Sequence, residues 1–215
     1  MSDHLFEAAR YALLRRLAPA IRHSMVGWLH PVVLTAEILE RRIRNGDSDL
    51  EKIRMALAEI VKLSRSAIPL CSSLVTWLAP DEDALTGVDE GIRECIGLLE
   101  TDFALRGFSV EYSACSTDIQ IKRTAVRHVL TASLITATDA APGPSKLKLT
   151  TSIVQHQVLI HIEVQPDSEM IAHSSESSYR ALNWYEVEAL AFADHVELSR
   201  PDGRIVMRYI AATVE

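Results

Sequence analysis

What this chain lacks narrows it before any motif is read. Its three cysteines, Cys71, Cys95 and Cys115, are odd in number, far apart and include no C-x-x-C pair. Neither a disulfide framework nor a zinc knuckle is indicated, and a reducing compartment with three buried thiols is the expectation. No apolar run approaches bilayer-spanning length, and the opening MSDHLFEAAR lacks the basic and then apolar regions of a signal peptide. The expected location is therefore the cytoplasm, with no membrane partner. Positive charge is not in excess: 22 Lys and Arg against 29 Asp and Glu leave a net charge of -7, which argues against a nucleic-acid binder that tracks phosphates. Glycine is scarce, eight in all, and none falls between Ser145 and Asp202. Internal repeats and low-complexity tracts are missing as well. The remaining composition, 48% hydrophobic and 24% charged, is that of a globular chain able to bury a real core in one or two domains.

The most patterned stretch is Leu13 to Ile43. Ile21, Met25, Trp28, Val32, Ala36, Leu39 and Ile43 recur at steps of three and four, one stripe along a helix at nearly coiled-coil spacing. His23 lies two residues past Ile21 and so points away from that seam; His30 follows one heptad later on the same face. The helix is expected from near Asp3 to Arg44, bent or interrupted at Pro19 and Pro31, because each proline lacks an amide donor and crowds the carbonyl four residues back. Asn45 to Asp49 is a turn, with Gly46 suited to the left-handed position and Ser48 with Glu51 spaced as a capping box.

A second helix then carries Leu50, Leu57, Ser64, Cys71 and Leu78 at one heptad position, and Ile53, Ile60, Ala67 and Leu74 at another. The spacing predicts an antiparallel helical hairpin over residues 1–80. A lone hairpin leaves apolar stripes uncovered, and pairing two into a four-helix bundle solves that, so a homodimer is expected. Ala79 to Asp83 is a short acidic linker. Beyond it, residues 85–215 mix helices and strands: a helix over Val88–Arg106, a strand at Phe108–Tyr112, and a helix from Gln120 to about Ala140. Two strands, Lys146–Val154 and Gln157–Gln165, meet at Gln155-His156. A polar loop, a helix near Tyr179–Asp194 and a closing hairpin around Pro201-Asp202-Gly203 complete the pattern. The expected class is α+β, a helical hairpin followed by an α/β sandwich with helices on one face of a mostly antiparallel sheet.

Several residues then carry a resemblance. Arg22-His23, Leu29, Pro31, Val33-Leu34 and Ala36-Glu37-Ile38-Leu39 look like the H-box of sensor histidine kinases. Val88 to Glu94 with Leu98-Leu99, the run His128 to Asp139, and Ala189 to Leu198 look like the opening helix, the N-box helix and the closing elements of the Bergerat ATP-binding domain of GHKL ATPases. The resemblance spans nearly the whole chain. It implies His23 as phosphoacceptor, with His30 as its rival, and a response-regulator receiver domain, together with a hybrid histidine kinase, as partners. A receiver is expected to dock around His23 with Arg22, Met25 and Gly27 at the contact; Gly27 permits close approach, and Arg22 suits acidic groups around a phosphorylated aspartate.

The departures from that pattern are specific. The N-box Asn that holds the nucleotide's magnesium falls at Thr136. The Asp-x-Gly expected after Val164 reads Pro166-Asp167-Ser168-Glu169 instead. The glycines that let backbone amides approach a triphosphate are absent, because a side chain occupies that approach. Ser24 stands where an acidic residue usually follows the histidine, and Gly27 where an Asn or Thr positions hydrolytic water. The domain therefore reads as a degenerate Bergerat fold with no cofactor and no metal. His23 and His30 are separated by about 10 Å of helix rise, too far to share one ion. His128, Asp194 and His195 read as surface and helix-end residues. A histidine phosphotransferase that moves phosphate without binding ATP is the expected activity. The alternatives are a non-catalytic dimeric scaffold that docks a receiver or kinase, and a divergent ATP-dependent histidine kinase.

Overall fold

The computed structural model describes residues 3–46, 49–79, 81–115, 117–167 and 180–212. The chain divides into two compact units: Pro19–Pro80, and Met1–Ala18 together with Asp81–Glu215. One division falls in the acidic linker. The other falls at Pro19, inside the first helix, so residues 3–18 group with the α/β unit although the heptad spacing assigns all of 1–80 to the hairpin.

Helix α1 (Asp3–Arg44) continues through both Pro19 and Pro31. One turn beyond the second proline, the Thr35 hydroxyl donates to the Pro31 carbonyl at 2.8 Å, a back-bond to the preceding turn that threonine commonly makes in helices. Gly46 closes the helix at φ 81°, its amide on the Ile43 carbonyl at 3.0 Å, a conformation that costs other residues more.

The helical unit comprises α1 from Pro19 onward and α2 (Leu50–Leu78). Its short connection and compactness make it a hairpin. Ser48, expected to cap α2, lies outside the described residues; the N-cap is Asp49, whose carboxylate accepts the Lys52 amide at 3.2 Å. Ile53 and Ile60 are half-buried, and Ala67, Leu74 and Trp77 are buried, so that stripe is the hairpin's own seam. The other heptad position behaves differently. Leu50, Leu57 and Leu78 are exposed.

The α/β unit contains β1 (Leu85–Gly87), α3 (Val88–Leu105), β2 (Phe108–Tyr112), β3 (Gln120–Lys122) and α4 (residues 123–140), the last with a π-helical turn at Val126–Leu130. It continues with β4 (Ser145–Val154), β5 (Gln157–Pro166), α5 (Trp184–Ala193), β6 (Glu197–Ser199) and β7 (Ile205–Ile210). Five strands form one mixed sheet in the order β2-β4-β5-β7-β6, parallel only between β2 and β4. The short β1 and β3 pair separately, antiparallel. Leu147, Leu149, Val158, Ile160, Ile162, Ile205, Met207 and Tyr209 are all buried. They alternate along their strands, so one sheet face belongs to the core and the other is open. The architecture is α+β, two long helices followed by a mixed sheet with its own helices.

Candidate functional site

On α1, Arg22, His23, Gly27 and His30 are exposed and Ser24 is half-buried. At about 100° per residue, His23, Gly27 and His30 share one side of the helix, while Arg22 lies a quarter-turn or more away, in line with Val26, Leu29 and Val33. Met25 is 37% exposed but turns about 200° from His23, so it faces another quarter. A Cβ built at Gly27 meets no heavy atom within 4 Å.

Of the apolar residues of α1, Ile21, Trp28, Val32 and Leu39 are half-buried or buried. Val26, Leu29 and Val33 are exposed about a third of a turn away, and Leu34 and Ile38 are exposed on the side of the histidines. α2 repeats this division. Its seam residues are covered, but Leu57, Val61, Ile68, Val75 and Leu78 stand exposed and, with Ser64 and Cys71, step by four and three. The histidine side of α1 is turned away from the covered sector.

In the α/β unit, Thr136 is buried and its hydroxyl donates to the Ala132 carbonyl at 2.8 Å. The hydroxyl proton is thus spent inside its own helix. Two polar clusters on α4 escaped the sequence reading. Asp139 accepts from Arg16 at 2.7 and 3.0 Å and from Arg106 at 2.7 Å; Arg106 also lies over the Phe108 ring, 5.2 Å from its centre. The Arg16 side chain is nearly buried, a placement that this bidentate carboxylate makes tolerable. Nothing at the level of spacing joins residues so far apart in the chain.

The second cluster corrects an expectation. His128 and Asp194 are buried, not surface residues, and His128 Nδ1 lies 2.8 Å from Asp194 Oδ2. The Lys122 ammonium sits 4.0 Å from the other carboxylate oxygen. The expectation of three buried thiols also needs correcting: Cys95 alone is buried, and Cys71 and Cys115 are half-exposed. Burial pushes the Cys95 thiol up to about 12, which leaves it protonated and unreactive. On the open sheet face His161, Glu163, Asp202 and Arg204 line a shallow concavity of about 480 Å³. Burial, and then the Arg204 charge, hold His161 below its ordinary value. Of the expected polar loop, residues 168–179 lie outside the described residues.

No family model matches the chain, and no curated protein matches it. Solved structures do resemble it. The histidine kinase AdeS of Acinetobacter baumannii is 16% identical over 86% of this chain and 98% of that one, with a TM-score of 0.45. A histidine kinase from Burkholderia phymatum STM815 is 16% identical over 89% and 99%, with a TM-score of 0.41. The histidine kinase ThkA, in complex with the response regulator protein TrrA, is 18% identical over 96% of this chain and 67% of that one, with a TM-score of 0.42.

Proposed function

We propose that this chain is a two-component phosphotransfer protein that passes phosphate between His23 and the aspartate of a response-regulator receiver domain, without binding ATP. The observation that carries the reading is the position of His23: exposed on α1, on the side turned away from the covered apolar sector, beside the open surface at Gly27. In the step itself, the unprotonated nitrogen of a neutral imidazole attacks the phosphorus of the receiver's aspartyl phosphate. A P–N bond forms, the acyl P–O bond breaks, and the carboxylate leaves with its electron pair; the other ring nitrogen keeps its proton. The reverse reaction returns the phosphoryl group. The receiver contributes its own metal and acidic pocket, so this chain needs only an accessible, neutral histidine near physiological pH.

The resemblance to kinases implies an adenine nucleotide with magnesium, and the residues present do not fit one. Thr136 is buried and turned to its own helix, and no glycine lies between Ser145 and Asp202 to admit phosphate close to the backbone. No step is routed through a nucleotide.

The working form in this reading is a homodimer. The exposed series from Leu57 to Leu78 on α2, together with Val26, Leu29 and Val33 on α1, matches what a second hairpin covers in a four-helix bundle, and it leaves His23 outside. A second reading, a scaffold that docks a receiver without taking phosphate, is favoured by Ser24, which gives His23 no neighbouring acid.

The test is phosphate transfer from a set of phosphorylated receiver domains to the purified protein, with wild type beside His23→Gln and His30→Gln and the acid-labile phosphate located by mass spectrometry. Label that disappears only with His23→Gln is the expected result. Loss only with His30→Gln moves the acceptor by one heptad. No label, with a stable receiver complex, leaves the scaffold.

A further inference from the structure

Two contacts tie the first turns of α1 to α4 within the α/β unit. At one end the Phe6 and His128 rings meet edge-on, their centres 6.1 Å apart. At the other, Arg16 clasps both oxygens of Asp139 at 2.7 and 3.0 Å. Residues 6 to 16 and residues 128 to 139 each cover roughly 15 Å of helix rise, so the two stretches lie side by side and run in the same direction. Between the contacts, Ala9 and Leu13 are buried, as is Leu17 just beyond them; with Phe6 and Arg16 they follow a three-and-four spacing that makes one face.

The receiving side is fixed independently of this segment. Asp139 is held by Arg106, itself laid over Phe108, and His128 is held by Asp194. On α4 the spacing of His128, Ala132, Thr136 and Asp139 puts all four on one helical face, and Ala132 and Thr136 are buried. A charged anchor and an aromatic anchor, both preorganised, flank an apolar floor.

We propose that the α/β unit is a helix-docking module: the α4 face from His128 to Asp139 binds one amphipathic helix carrying an aromatic residue, leucines and an arginine, and residues 3–18 occupy it in cis. The proposal rests on the reading of Thr136 as a lost nucleotide position, since it gives that same face a peptide occupant.

The experiment uses the 215-residue chain and Arg16→Glu, which sets a carboxylate against Asp139. Amide hydrogen exchange is followed by mass spectrometry, and each protein is titrated with a fluorescein-labelled peptide of residues 3–18. In wild type the segment is expected to be protected and the labelled peptide excluded. In Arg16→Glu the segment exchanges about 100-fold faster while α3 and the sheet keep their protection, as for a local opening, and the peptide binds in trans. A segment as protected in Arg16→Glu as in wild type overturns the proposal; so does a freed segment with no peptide binding. If Arg16→Glu loses protection throughout the unit, Arg16→Gln replaces it, with the same local pattern expected and the same two outcomes against it. None of these readouts involves phosphate, so they stand or fall apart from the phosphotransfer test.

Discussion

Glu186 is charged in a place that rarely tolerates charge, 3% exposed at the first turn of α5. It is stabilised there by Arg180, whose Nη1 donates to it at 2.7 Å, and by the Asn183 amide at 2.9 Å. The Arg180 hydrogen bond is the main cause that holds its carboxyl below the ordinary 4.5, working against burial. The sign follows from linkage. A carboxyl lowered on folding adds stability that is fully present above its ordinary value and is lost as pH falls through the folded one. Glu186→Gln keeps an acceptor for the Asn183 amide but removes the titration. The variant is therefore expected to be less stable than wild type at pH 7, with the difference shrinking below about pH 4; urea melts at a series of pH values measure it. A constant difference across that range would mean that the charge plays no part. Asn183 and Glu186 also stand at cap-box spacing in the sequence. That signal places the start of α5 at Trp184, five residues after the Tyr179 that apolar periodicity alone suggests.

At the scale of elements, close packing decides where substitution is allowed. Gly91 lies in the first turn of α3, where an added Cβ meets Thr86 Cγ2 at 2.9 Å and Val126 Cγ1 at 3.3 Å. Both neighbours are buried and β-branched, so neither swings aside cheaply. Gly91→Ala gains about 1 kcal/mol of helix propensity and loses roughly 1–3 kcal/mol to overpacking. The net expectation is destabilisation, read as a lower Tm; a Tm at or above wild type would show that β1 and α4 can move apart. Element type was largely legible in the sequence because it follows from local periodicity. The 3.6-residue repeat of α3, the alternation from Phe108 to Tyr112 and the two strands around Gln155-His156 need no tertiary information. The pairing of β1 with β3 was not legible. Three residues per strand carry too little alternation, and their partners lie far apart in the chain. The same limit hid the contacts of Arg16, Asp139 and Arg106, and of His128 with Asp194, which exist only once helices pack. The exposure of His23 and His30 was readable from their offset to the α1 seam.

For the whole molecule, the question is what covers the apolar side of the helical hairpin. The sequence offered two heptad positions on α2 without saying which belongs to the hairpin. In the structure Ile53, Ile60, Ala67 and Leu74 are taken up within the unit, whereas Leu57, Val61, Ile68 and Val75 remain in the open. Contiguous exposed apolar patches of this kind are rare on monomers and mark association sites. A second hairpin fits because its own stripe has the same spacing, which a two-fold axis makes self-complementary. Val61 is the second of these exposed residues. Val61→Asp introduces a carboxylate that meets its symmetry mate or its surroundings without a partner, a penalty of several kcal/mol if the site is dry. Light scattering after size exclusion is expected to give a dimer for wild type and a monomer for Val61→Asp, with the α/β unit still folded by its near-ultraviolet dichroism. A wild-type monomer at tens of micromolar would leave the stripe to another protein. A Val61→Asp variant that still dimerises would put the dimer contact elsewhere. The same variant also bears on the chemistry. His23 accepts from a receiver in this reading through its own helix, so a monomer that still takes phosphate would assign the dimer to architecture. A monomer that loses the reaction would mean that the receiver also touches the partner's hairpin.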